Sequence, residues 1–271
     1  VYRSLVALDN HCGFVRRAGC FLRAAYCLIE LTWKHSMNNV FEAYPLLMTP
    51  YFSQRPWGGV CLAQVLGKNV PALGGPYGES WELSDHPDGI STIANGSYQG
   101  LTFGELVRQF PRQMCGVAQA PARFPLLIKY IDAGDDLSVQ VHPSDATAPA
   151  GDRGKTECWY IMDCEPDAEL IYNLAPGVTP QALREAARTG QMEACVRRLA
   201  IRPGDFVYIP AGTVHAILAG TLLCEVQQSS NTTYRLWDWN RQPARTLHVE
   251  EACAVSLYEP DPNAAEPVNA K

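Results

Sequence analysis

The stretch Leu137-Ser138-Val139-Gln140-Val141-His142-Pro143 constrains this chain more than any other. Alternate residues of a β-strand share a face. Leu137, Val139 and Val141 therefore point one way, and Ser138, Gln140 and His142 the other. The apolar ladder demands a core, and the ligand-capable ladder needs a reason beyond solvation. A second stretch supplies one. Gly204 and Asp205 suit a turn, Phe206 to Ile209 a strand, and Pro210 with Gly212 a second tight turn that presents His215. This Gly-x5-Pro-x-Gly-x2-His pattern predicts a hairpin. Glu157 opens a further strand just after Lys155 and Thr156. A lone histidine is more often a surface or satisfied core residue than a ligand. Here His142, Glu157 and His215 come from separate strands, a donor set that suits a divalent first-row metal such as zinc.

The rest of the chain can enclose such a site. At 271 residues and 47% hydrophobic content it can bury a sizeable core. A net charge of −6 gives no electrostatic case for nucleic acid. No apolar run approaches the length needed to span a bilayer, so no membrane partner is expected. The ten cysteines, at 12, 20, 27, 61, 115, 158, 164, 195, 224 and 253, form no Cys-x-x-Cys pair. They read as reduced thiols of a cytoplasmic protein. Oligomeric state is not legible.

Residues 1–36 differ in character and read as an atypical extension outside the fold. Arg16-Arg17 precede a moderately apolar stretch, but Arg23 and Glu30 interrupt what an export signal would need. The expectation is that translation begins at Met37, that residues 37–257 form the domain, and that 258–271 are a tail. From Pro45 the chain reads as β structure punctuated by Pro and Gly, with strands at 78–84, 91–94, 125–131 and 136–142. Thr102 and Glu105 have capping-box spacing, which predicts a helix from Phe103 to Phe110. Thr179-Pro180 starts a second helix that stops near Gly190. Met192, Cys195, Val196 and Leu199 recur at i, i+3, i+4, i+7, which predicts a third. From Ala200 to Trp239 strands and turns return. Many short strands with few helices argue for a sandwich or jelly roll.

At these residues the chain resembles a known family. The 204–215 stretch looks like the second cupin motif, and Gln140-x-His142 with Glu157 like a variant of the first. Together with Pro56-Trp57-Gly58-Gly59, the segment Gly154 to Tyr160 and Thr233-Tyr234-Arg235, the chain resembles the type I mannose-6-phosphate isomerases from about Leu47 to Leu257. The resemblance implies a mainly β fold, a cupin jelly-roll β-sandwich with a few short helices. It implies Zn2+ on His142, Glu157 and His215, with Gln140 as the fourth ligand of longer members. It implies Arg235 as the active-site arginine, and Ser138, Lys129 and Lys155 along a sugar-phosphate pocket. The implied activity is a zinc-dependent aldose–ketose isomerisation between mannose 6-phosphate and fructose 6-phosphate through an enediol. Two departures stand out. The chain stops soon after Trp239, where family members continue into a second β domain, and Asn231 stands where a family acid often appears.

The residues themselves also suggest roles. Glu225 follows the apolar run Leu222-Leu223-Cys224, and an inward carboxylate there suits a general base. The alternative is a structural pairing with Arg235. Lys129 interrupts an apolar run, where an edge lysine is the alternative. Lys155 sits two residues before Glu157, so both can face the metal. Both lysines are assigned to the phosphate or sugar hydroxyls. Thr233, Arg235 and Trp237 share a strand face, and Arg235 is read as stabilising charge at the reacting oxygens. Trp57, Trp81 and Glu82 are read as packing or lining the pocket mouth. His11, His35, His86 and His248 stand alone. Two rivals are an iron-dependent cupin oxygenase, against which the cations Lys129, Lys155 and Arg235 count, and a non-catalytic sugar-phosphate-binding cupin.

Overall fold

A computed structural model describes residues 40–259 and the backbone of Val268–Asn269. Contacts divide the chain into Val1–Tyr44 and Pro45–Lys271, and the second unit carries everything below. The extension at 1–36, the start at Met37, and most of the tail at 258–271 lie outside the described residues.

Two antiparallel sheets dominate. The larger runs in spatial order through Val268–Asn269, Asp205–Ile209, Glu157–Cys164, Thr221–Gln228, Leu126–Ala133, Tyr77–Leu83 and Tyr51–Gln54. The smaller runs through Val196–Ala200, Glu169–Leu174, His215–Ile217, Val139–Val141 and Tyr234–Trp237. Alternate residues of both interdigitate between them. Ile131, Trp159, Ile161, Val207 and Leu223 of the larger sheet meet Leu170, Tyr172 and Ile217 of the smaller in one buried cluster. Pleating is what delivers one side chain in two to that layer.

The smaller sheet is covered on its other face as well. Val139, Val141, Ile171, Ala216 and Leu236 pack there against Leu183, Ala186 and Ala187 of the helix Pro180–Thr189 and Ala252 and Cys253 of the helix Val249–Val255. The apolar ladder of the 139–142 stretch thus supports helices, and its polar ladder faces the other sheet. Leu137 departs from the expected alternation. It precedes the strand and packs in the layer between the sheets.

The expected capping is present. Thr102 accepts from the Glu105 amide at 3.2 Å, and the Glu105 carboxylate accepts from the Thr102 amide at 2.8 Å, starting the helix Phe103–Gln109. Thr179 caps Pro180–Thr189, and Gly190 ends it at φ +72°. The 192–199 helix is not formed. Met192–Cys195 makes one 3-10 turn, and Val196–Ala200 is a strand paired with Glu169–Leu174. Apolar spacing alone cannot weigh an open sheet edge, whose N–H and C=O groups Val196–Ala200 satisfies. The 204–215 stretch is not a hairpin either. Asp205–Ile209 and His215–Ile217 belong to opposite sheets, so the turn at Pro210 and Gly212 carries the chain across the sandwich.

Among the described residues, no helix is long and apolar enough to cross a membrane. Cys61, Cys115, Cys158, Cys164, Cys195, Cys224 and Cys253 are free thiols.

Candidate active site

The crossing turn brings His215 opposite His142. His215 pairs with Gln140 across the strands, and His142 follows two residues later on the same inward face. Glu157 comes from the facing sheet, at the start of the strand paired with Asp205–Ile209. Donor atoms of His142, Glu157 and His215 all lie within 4.8 Å of one another. All three side chains are buried.

Each histidine is oriented from behind. The Nδ1–H of His142 donates to the Thr232 carbonyl at 2.9 Å, and that of His215 to the Thr213 carbonyl at 2.9 Å. A carbonyl can only accept, so the proton sits on Nδ1 and the Nε2 lone pair of each ring points inward. The His142 Nε2 is 3.7 Å from one Glu157 oxygen and the His215 Nε2 3.3 Å from the other. Burial, then Lys155, hold His142 well below its usual range. Burial brings His215 down to about 4. Both rings are therefore neutral at physiological pH, as metal ligation requires. Burial and then the Glu225 charge push Glu157 up to about 7.

These residues fit a divalent cation. Both Glu157 carboxylate oxygens are buried without a hydrogen bond. The Lys155 ammonium lies 2.9 Å from Glu157 and 3.0 Å from the His142 Nε2. Gln140 lies beside the triad, its amide nitrogen 3.4 Å from the His215 Nε2 and its oxygen accepting from Ser138 at 3.3 Å. Two neutral imidazoles, a carboxylate and an adjacent amide form a donor set suited to zinc.

Lys155, Gln140 and Ser138 line a cavity of about 290 Å³ between the sheets. Lys129 and Glu225 lie on its wall, paired at 2.9 Å, and Trp159 Nε1 donates to Glu225 at 2.8 Å. Glu225 therefore does not pair with Arg235, the alternative raised by the sequence. Burial opposes its ionisation, but Lys129 and Lys155 hold it below its usual carboxylate range. Lys129 is no edge lysine. It is 5% exposed, on a strand interior to the larger sheet.

Arg235 lines the same cavity with Thr233. Trp237 does not share their face, because the register slips between Arg235 and Trp237 and sends the indole toward the helices. Trp57 lines the cavity, whereas Trp81 is buried with its Nε1 donating to Glu79 at 2.6 Å, and Glu82 pairs with Lys68 at 2.8 Å. His86 stays apart, near Asp88. His248, read as standing alone, lines the cavity. Arg55, Glu79 and Arg245 line it too and were missed. Glu79 was within reach of the sequence, since it alternates with Trp81 on a recognised strand. Arg245 lies beyond the last strand of its sheet, where no periodicity points inward.

Paired antiparallel sheets with a His–Glu–His cluster between them define the cupin class. Residues 46–176 match the phosphomannose isomerase type I catalytic domain. The Bacillus subtilis mannose-6-phosphate isomerase ManA is 44% identical over 218 residues, 78% of this chain and 67% of that protein. The Streptococcus mutans mannose-6-phosphate isomerase is 38% identical over 219 residues, 79% of this chain and 68% of that one. A crystal structure of the mannose 6-phosphate isomerase from Bacillus subtilis superposes with a TM-score of 0.74 at 40% identity, over 79% of this chain and 69% of that one. The chain belongs to the type I phosphomannose isomerase family.

Proposed function

We propose that this chain interconverts mannose 6-phosphate and fructose 6-phosphate, with zinc held by His142, Glu157 and His215 and joined by Gln140. The observation that carries this reading is the triad itself. Two inward-facing imidazole Nε2 atoms and a carboxylate without hydrogen bonds converge beside a cavity lined by basic side chains. When bound, the ion supplies Lewis-acid polarisation of the substrate carbonyl.

The isomerisation moves a proton between C1 and C2 through an enediol, and each remaining role falls to a named side chain. Glu225 is the proposed general base, kept charged and oriented by Lys129 and Trp159. The Lys155 ammonium, at the triad, supplies fixed positive charge where an oxyanion develops. Ser138 is the proposed partner of a sugar hydroxyl. Lys129 stays engaged with Glu225 and acts through it. The cytoplasm, where sugar phosphates are held by their charge, is the proposed location.

The test is turnover. The protein is incubated with mannose 6-phosphate, and fructose 6-phosphate is measured by a coupled assay, before and after chelation and after zinc is restored. The expected result is product, lost on chelation and recovered with zinc. Binding of mannose 6-phosphate without turnover would overturn the proposal in favour of a non-catalytic binding cupin.

A further inference from the structure

We infer that Asp152 is a positioning residue of the metal site, holding the Thr232 carbonyl against His142 and so fixing which way that ring faces. This role rests on the metal assignment proposed above. It falls to a residue that is neither a ligand of the triad nor a wall of the cavity.

The two histidines are oriented by carbonyls of different standing. His215 uses the Thr213 carbonyl, two residues back, in a turn closed by the Thr213 amide on the Pro210 carbonyl at 3.1 Å. Local chain geometry is enough to hold it. His142 uses the Thr232 carbonyl, 90 residues away in sequence. Thr232 lies between the strands Thr221–Gln228 and Tyr234–Trp237, so no sheet ladder fixes its peptide. A ligand's outer partner orients it only if that partner is itself held.

Asp152 supplies the hold. One carboxylate oxygen accepts from the Thr232 hydroxyl at 2.5 Å and from the Ser230 hydroxyl at 3.0 Å, and the other from Arg123 at 3.3 Å. The Ser230 hydroxyl oxygen in turn accepts from the Thr232 amide at 3.2 Å. Thr232 is thus gripped at its amide and its side chain. Every bond here has one direction. A carboxylate only accepts, so both hydroxyls donate to it, and the Thr232 carbonyl is left to face the His142 Nδ1–H. Burial opposes ionisation of Asp152, but the Thr232 hydroxyl, the Arg153 backbone and the Ser230 hydroxyl hold it below its usual carboxylate range.

The post is as firm as the grip. Asp152 stands on the segment that joins His142 to Glu157. That segment is closed by the Lys155 amide on the Pro143 carbonyl at 2.9 Å and the Gly154 amide on Asp145 at 2.8 Å. A Cβ at Gly154 would lie 2.4 Å from the Asp145 amide nitrogen, so the two arms touch there. Two other contacts reach the 228–232 stretch. The Gln227 side chain donates to the Gln228 and Ser230 carbonyls, short of Thr232. The Asn231 amide donates to Asp88, and both of those residues are exposed.

The test reads the metal rather than turnover. Zinc affinity is measured by competition with a chromophoric chelator, and ligand geometry by the visible absorption of cobalt-substituted protein. Wild type, Asp152→Ala, Thr232→Val and the double variant are compared. Loss of an outer partner typically weakens metal binding 10- to 100-fold, and Asp152 acts one residue further out, so about 10-fold weaker zinc binding is expected in each single variant. The cobalt band should change in both. The double variant should again lose about 10-fold, because both changes cut one tether. Asp152→Asn keeps an acceptor for the two hydroxyls and should restore most of the affinity. Zinc affinity and a cobalt band equal to wild type in Thr232→Val would overturn the inference, whether or not Asp152→Ala folds. So would a loss of about 100-fold in the double variant, since the two residues would then act separately. An Asp152→Ala protein that unfolds at lower urea with its cobalt band intact would make the residue merely structural, and overturn the role as well. If wild type itself binds neither zinc nor cobalt, the metal assignment fails first and the role of Asp152 falls with it.

Discussion

Replacing Lys129 with methionine tests the electrostatics of the site most directly. Its ammonium lies 2.9 Å from Glu225 and 3.8 Å from Glu79, and all three side chains are buried. Burial opposes ionisation of Glu79, but Lys129 and Arg55 bring it from 4.5 down to about 2. At 1.36 kcal/mol per pKa unit, that depression corresponds to roughly 3 kcal/mol of stability. Because the folded pKa lies below the unfolded one, the contribution is complete above about pH 4.5 and lost as pH falls through about 2. Between pH 7 and 5 it is therefore constant in the wild type. The variant keeps Arg55 on Glu79 but leaves Glu225 buried beside Glu157 without its directly paired cation, with only the weaker effect of Lys155 remaining. Breaking a buried ion pair from one side costs about 3–5 kcal/mol, which is the expected loss at pH 7. With Lys129 gone, burial, the largest influence on Glu225, is expected to raise it above its unfolded value. A raised carboxylate destabilises once pH exceeds the folded pKa, and protonation relieves that cost below it. The gap between variant and wild type should thus narrow by about 1 kcal/mol or more from pH 7 to pH 5. Urea unfolding at the two pH values measures it. A loss under about 1 kcal/mol at pH 7, in the range of an exposed lysine, or a gap independent of pH, would refute the reasoning.

Two further outcomes are expected. His142→Ala should abolish co-purifying zinc, read by elemental analysis, while near-ultraviolet circular dichroism stays native; full zinc retention would show that the triad does not hold the ion. Gly212→Ala should lower stability by about 1–3 kcal/mol, because Gly212 sits at φ +89° and an added Cβ would lie 2.9 Å from Leu257 Cγ and from the Val255 carbonyl oxygen. Its amide also donates to the His142 carbonyl at 2.8 Å, so an unchanged urea midpoint would be unexpected on both counts.

The relation between sequence and site differs from residue to residue. Strand alternation made Gln140 and His142 legible, because one buried face and one polar face leave no other register. Helix ends at Thr102, Thr179 and Gly190 were legible because capping is local chemistry between residues three or four apart. The 192–199 segment was misread for the opposite reason. Its apolar spacing fits a helix, and only the unsatisfied edge of Glu169–Leu174 makes it a strand. The 204–215 turn has the local form of a hairpin, and nothing in it records that its two strands join different sheets.

By itself the sequence determined that His142, Glu157 and His215 would face inward from a mainly β fold, since pleating and turn chemistry act over a few residues. Tertiary structure alone decided who meets whom across the cavity. Lys129 could have been an edge residue, and became the partner of Glu225 because its strand is third from the edge of a seven-stranded sheet and pairs with Thr221–Gln228. Arg55, Arg235 and Arg245 come from both sides of the sandwich, and converge only because the sheets are packed face to face. Charges far apart in the chain interact through distance and burial, and neither quantity is written in local order along the chain.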